Sequence, residues 1–205
     1  MKKLFTSIMR SLGLVALPPI TTRQDLLEFI ESRAAYVSQV TLYTYVKARA
    51  GTQYPKLFEN NDFLTSLRIS RWHIYGAAVC DLSLFATAQF NRSGLLDDAA
   101  SKDMANRLID DIFAANTQDD IDPARFIDIA NEGKRRVAFA NWDVIAEGAS
   151  AFKASSDAVY KWAPIADELK QDDEEIVRNS IHLRWIGVRR DLKETLRPNL
   201  IIENQ

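Results

Sequence analysis

The run RWHIYGAAVCDLSLFATAQF, residues 71–90, decides how the chain is read. Beyond Arg71 its only charged side chain is Asp81, beside the one cysteine, Cys80. A membrane-spanning helix needs about 20 mostly apolar residues. Trp72 to Phe90 supplies nearly that length but includes His73, Gly76, Asp81, Ser83, Thr87 and Gln89. A central Asp costs about 2.5–3.5 kcal/mol on insertion scales, whereas each apolar residue returns only tenths. The sum does not favour a span. A helix buried on most faces inside a bundle fits the pattern better.

The remaining sequence agrees with a helical fold. Only seven glycines and six prolines interrupt 205 residues, so long unbroken stretches dominate, unlike a protein of short strands. Thr22 with Asp25 reads as an N-cap pair, and Leu26, Ile30, Ala34 and Val37 keep helical spacing. VSQVTLYTYV, residues 37–46, is rich in β-formers, but the flanking periodicity carries the helix on to Ala50, with Gly51 as its stop. After a loop over 52–61, Asn61 or Asp62 caps a helix reaching about Asn91, with Leu64, Leu67, Ile74, Ala78, Leu82 and Phe85 inward. A break at 93–98 precedes an amphipathic helix to about Ala115, built on Met104, Leu108, Ile109, Ile112 and Phe113.

Asp122 followed by Pro123 is the clearest helix start in the chain. That helix is expected to continue to about Ala154, with Phe126, Ile129, Val137, Val144, Ile145 and Phe152 inward and bends at Gly133 and Gly148. Ser156 and Asp157 begin a short turn of helix closed by Pro164. The last helix, about Asp173 to Leu196, has the stripe Val177, Ile181, Trp185, Val188, Leu192 and Leu196. The expected fold is therefore all-α: one domain over 20–205, a bundle of five or six helices, preceded by a segment over 1–19.

That first segment begins MKKLFTSIMRSLGLVAL. Arg10 interrupts the apolar run and no small-x-small cleavage site precedes Pro18 and Pro19, which argues against a cleaved signal. Drawn as a helix, Leu4, Ile8, Leu12 and Val15 form a stripe, with Lys2, Lys3 and Arg10 largely elsewhere. Residues 1–17 thus suit either an anionic membrane surface or docking on the protein's own core.

Composition excludes several kinds of chemistry. A net charge of −2, from 26 basic and 28 acidic residues, supplies no broad field for nucleic acid. A lone cysteine cannot form an internal disulfide, a CxxC redox pair or a multi-cysteine zinc site, and it fits a cytoplasmic setting. There is no HExxH, no ExxH pair, no phosphate-cradling glycine loop and no hydrolase elbow; GASAF, residues 148–152, lacks the second glycine. No metal site, cofactor or catalytic residue is assigned. The acids at 110–111, 119–122 and 172–175 are read mainly as helix caps and dipole partners.

The candidate binding residues are His73, Asp81, His182, Arg184, Arg189 and Arg190. His73 and Asp81 lie about 80° apart around their helix and about 12 Å along it, so each needs a partner from another helix. Arg184 or His182 is the expected partner of Asp81, which either fixes helix register or opens onto a pocket. Lys134, Arg135 and Arg136, together with the arginines of the last helix, form a solvated face or a patch for an anionic partner.

SRAAYVSQVTLYTYVKARAGTQYPKLFENNDF, residues 32–63, with ISRWHIYGAAVCDL, residues 69–82, resembles an uncharacterised helical family of alphaproteobacteria. Its members are often labelled esterase, but that label brings no catalytic motif matched here. A shorter likeness, of LY…R and the HIY helix, is to the ubiquinol–cytochrome c reductase assembly chaperones. The expected function is a non-enzymatic interaction or assembly factor with a protein partner, peripheral to the inner face of a membrane. It would act through a groove lined by Tyr36, Tyr43, Tyr45, Trp72 and Tyr75 and through the basic last helix. The alternative is a small-molecule binder or hydrolase-type enzyme with a pocket around Asp81 and His73.

Overall fold

The computed structural model describes residues 17–116, 122–148 and 150–203. The amphipathic helix expected over 1–17 therefore falls, except for Leu17, outside the described residues. Within them the chain is all-helical, with no strand, and its only extended pairing is one isolated bridge between Ile20 and Leu196.

Helix α1 (Arg23–Ala50) starts at a complete capping box: Thr22 Oγ1 accepts from Asp25 N, and Asp25 Oδ2 accepts from Thr22 N. The β-rich stretch 37–46 stays helical, and Gly51 ends α1 at a φ of 52°. The expected loop instead contains a 3₁₀ turn (Gly51–Gln53) and a short α2 (Tyr54–Leu57) that carries Pro55 in its first turn, where no helical N–H is needed. Asn60, one residue earlier than expected, caps α3 (Asn61–Arg92) by accepting from Asp62 N and Phe63 N. Asp97 caps α4 (Asp98–Ala115), and Asp122 caps α5 (Pro123–Ala138).

The single helix expected over 124–154 is three. Turn bonds from Phe139 N and Ala140 N back into α5 close that helix, and the Asn141 side chain then caps α6 (Trp142–Glu147). Gly148, at a φ of 88°, stops α6 in a left-handed conformation that a side chain would resist. Val144, expected inward, consequently points out and is 48% exposed. The short turn of helix expected from Ser156 is present but begins earlier, as α7 (Lys153–Trp162), followed by α8 (Asp167–Lys170), α9 (Glu174–Thr195) and α10 (Pro198–Glu203). Among the described residues, six helices have ten or more residues and four are shorter, more pieces than the five or six expected.

Helix α3 is the axis of the structure, packed against α1, α4, α5, α6 and α7. From Ala78 to Ala88 every residue is buried, so this segment has no solvent-exposed face. Each buried Leu or Phe side chain contributes about 1.5–3 kcal/mol through removal from water. The opening run is thus a core helix, and among the described residues no helix is long and apolar enough to cross a membrane.

Two glycines allow α5 to approach α3. A Cβ on Gly133 would overlap Cys80 Sγ, and one on Gly76 would overlap the Ile129 side chain. Gly133 is therefore a contact point and not the expected bend; α5 runs through it unbroken. Cys80 is fully buried at that contact, and desolvation pushes its thiol pKa up to about 12.

The last helix is anchored at both ends. The Asp173 carboxylate does not cap α9 as expected of the acids there; it accepts from Tyr45 Oη at 2.8 Å and pairs with Arg49, joining the start of α9 to the end of α1. Tyr45 is therefore buried and engaged, not the groove-lining residue expected. At the other end Ile20 N donates to Thr195 O at 2.9 Å and Arg197 N to Ile20 O at 3.0 Å.

Glycine substitutions separate contact from conformation. Gly133→Ala should lower stability by about 1–3 kcal/mol through overpacking. Gly187→Ala, in α9 with open space around its Cβ position, should raise it by about 0.5–1 kcal/mol. Urea unfolding of the two variants measures both.

Candidate functional site

Asp81 lies in the fully buried half of α3 and has no exposed surface. Its Oδ2 accepts from Ser155 N at 2.7 Å, in the first turn of α7. Its Oδ1 lies 2.6 Å from Arg136 Nη2, near the end of α5. Ser155 Oγ in turn accepts from Trp185 Nε1 of α9 at 3.1 Å, and the Trp185 ring stacks on Phe152, centroids 4.3 Å apart. One carboxylate therefore ties α3, α5 and α7 together and reaches α9 through a serine. Desolvation is the strongest influence on Asp81 and raises its pKa; the Arg136 charge and the Ser155 bonds oppose it.

The expected partners, Arg184 and His182, are elsewhere. Arg184 bonds within its own helix, from Nη1 to Ser180 O at 2.6 Å and to Ser180 Oγ at 2.7 Å, and His182 is exposed. The physical reason is the rotation of α9, whose stripe delivers Trp185 to the core and leaves Arg184 at the edge. Arg136 was legible only in part. The α5 stripe Phe126, Ala130, Gly133, Val137 places Arg136 beside it, whereas Arg135 faces solvent and pairs with Glu132.

His73 stacks face to face on Trp162, with centroids 3.5 Å apart and planes 2° from parallel. Burial, then the Arg125 and Lys161 charges, lower its pKa to about 4, so the ring is neutral at pH 7. Among the described residues its buried Nε2 meets no hydrogen-bond partner, and no carboxylate is bonded to the ring. That is aromatic packing; a general base needs a proton path.

Arg189 closes the end of α6: its Nη2 donates to Glu147 O at 3.1 Å, and its guanidinium lies under Gly148 and over the Phe85 ring. A cation there complements the carbonyl end of a helix. Arg190 is exposed and contacts Asp191 at 3.2 Å. The six candidate residues are thus not brought together into one site.

Two clefts among the described residues stand out, and neither is lined by Asp81, His73 or Cys80. One, of about 380 Å³, has Lys153, Arg178 and His182 on its rim and Phe152 and Trp185 at its base. The other, of about 220 Å³, lies between α1 and α3 and is lined by Glu31, Ser38, Gln39, Arg71, Trp72 and Tyr75, with Ala35 and Asn116 completing it. Trp72 and Tyr75 of the expected aromatic groove are there; Tyr36 stands out in solvent and Tyr43 packs against the core. Among the described residues no three His, Cys, Asp or Glu side chains converge as for a metal ion. No protein family, no curated protein and no solved structure matches this chain.

Two outcomes follow from the buried groups. Asp81→Ala should cost about 3 kcal/mol, the lower end for breaking a buried pair because Arg136 retains 28% side-chain exposure; a double-mutant cycle with Arg136→Met measures the coupling. The folded pKa of His73 is below its unfolded value of 6.5, so its neutral form stabilises the fold above pH 6.5 and that contribution is lost as pH falls through about 4. His73→Phe should remove this loss, seen as a smaller difference in Tm between pH 7 and pH 4 than in the parent protein.

Proposed function

We propose that the protein is a non-enzymatic interaction or assembly factor that works at the anionic, cytoplasmic face of a membrane. The observation that carries this reading is the outward face of α9. Leu183, Ile186, Gly187 and Arg190 follow i, i+3, i+4, i+7 spacing and so share one side of the helix. Leu183 is 68% and Ile186 48% exposed, large apolar groups followed by the exposed cations Arg190 and Lys193, the exposed acid Glu194 and, just past the helix, Arg197. Positive charge is dense enough there that, after desolvation, repulsion from Arg189 and Arg92 is what lowers the Lys193 pKa.

An apolar stripe framed by basic residues is how a helix lies in a lipid interface, its side chains entering the headgroup region while cations meet anionic lipid. Gly187 leaves the middle of the face flat. The N-terminal segment strengthens the case, since residues 1–16, basic and amphipathic when drawn as a helix, join the described chain beside Ile20, which is bonded to the end of this same helix. The likeness of the HIY helix to the assembly chaperones points the same way. Asp81 and His73, on which the alternative of an enzyme rests, are engaged in packing and open onto neither cleft.

Flotation with vesicles tests the reading. The full chain should bind vesicles containing phosphatidylserine and not those of phosphatidylcholine alone. Paired reversal Arg190→Glu with Lys193→Glu should weaken binding at least about tenfold. Leu183→Asp with Ile186→Asp should do the same by removing the inserted apolar groups. Indifference of the protein to phosphatidylserine would refute the membrane reading.

A further inference from the structure

We propose that the cleft between α1 and α3 binds a small zwitterion of amino-acid size, its ammonium toward Glu31 and its carboxylate toward Arg71. This site is independent of the membrane face on α9. Its walls are two helix ridges: Glu31, Ala35 and Ser38 at i, i+4, i+7 of α1, and Arg71 and Tyr75 at i, i+4 of α3.

The cleft is electrically bipolar. Glu31 Oε1 accepts from Asn116 Nδ2 at 3.0 Å, and the same amide donates to Ile112 O at 2.8 Å, so both its hydrogens are used in holding the carboxylate in place. The second oxygen of Glu31 meets no partner among the described residues. Arg71, on the facing helix, makes no ion pair among the described residues, with Glu31 or any other acid. Two opposite charges that line one cleft without neutralising each other leave room for a ligand that carries both. A simple anion or cation would satisfy one and face repulsion from the other.

Tyr75 adds a third polar group. Its hydroxyl is buried and meets no hydrogen-bond partner among the described residues. Burial and the nearby Glu31 charge hold its pKa above the ordinary value, so it remains protonated and can both donate and accept. Trp72, edge-on to Tyr75 with centroids 5.9 Å apart, supplies an aromatic wall of the cleft. The volume of about 220 Å³ is below the roughly 300–1,000 Å³ of sites for drug-sized molecules and suits a metabolite of a few to a dozen or so heavy atoms.

Isothermal titration calorimetry of the full chain tests this with glycine, leucine, glutamine and phenylalanine, and with butylamine and butyrate as single-charge controls. At least one amino acid should bind with a Kd below ~1 mM, and both controls at least roughly tenfold more weakly. Glu31→Gln and Arg71→Met should each weaken that binding about tenfold or more, while Arg71→Lys, which keeps the charge, should lose only a few-fold. Circular dichroism melting of each variant separates loss of the site from loss of the fold. The proposal is overturned if no amino acid binds up to ~10 mM, if a control binds as well as the amino acid, or if a folded charge-removing variant binds unchanged.

Discussion

A carboxylate with no exposed surface is the constraint around which this structure is arranged. Asp81 sits where α3 is enclosed on every side, and a buried charge there is tolerated only with donors to meet it. Its partners come from two different helices, the Arg136 guanidinium of α5 as an ion pair and the backbone N–H of Ser155 in α7 as a hydrogen-bond donor. Their positions follow from that requirement. If α5 slid by one turn, Arg136 would leave the carboxylate and Gly133 would leave Cys80, so polar satisfaction and close packing fix the same register. The Ser155 hydroxyl then passes the constraint to Trp185, the largest fully buried side chain of α9.

Helix beginnings were largely legible because capping is local chemistry. Thr22 with Asp25, and Asp122 with Pro123, place their helices within a residue of where they are found. The breaks inside 124–154 were less legible, since Asn141 and Gly148 look alike in sequence whether they sit inside a bent helix or between two helices. What decides is the left-handed φ of Gly148 and the capping bond of Asn141, both products of tertiary packing. Pairing across helices was least legible. The sequence identified Asp81 as a charge needing a partner, yet periodicity fixes only faces, and the rotation of α9 brought Trp185 inward in place of Arg184.

The polar groups divide into two kinds. Asp81, Asp173 and Arg189 join elements: each meets a group from a helix remote in sequence, and each is explained by what it joins. Arg71 and the exposed face of α9 join nothing comparable within the described residues, and Glu31, held by Asn116 through one oxygen, leaves the other without a partner there. Sequence reading gave most weight to His73 and Asp81, the residues with the most reactive side chains. The structure puts those two in the packing and leaves the exposed apolar face and the charged cleft to more ordinary residues, whose placement depends on which helices face each other.

The bridge at Ile20 has a mechanical meaning. Two parallel backbone hydrogen bonds bring the beginning of the described chain alongside the end of α9, and helices α1 to α9 lie between those two points in sequence. Load applied between residues near 20 and near 196 would be borne first by that short clasp. Its release would separate the chain ends before any of the central helices had to leave α3.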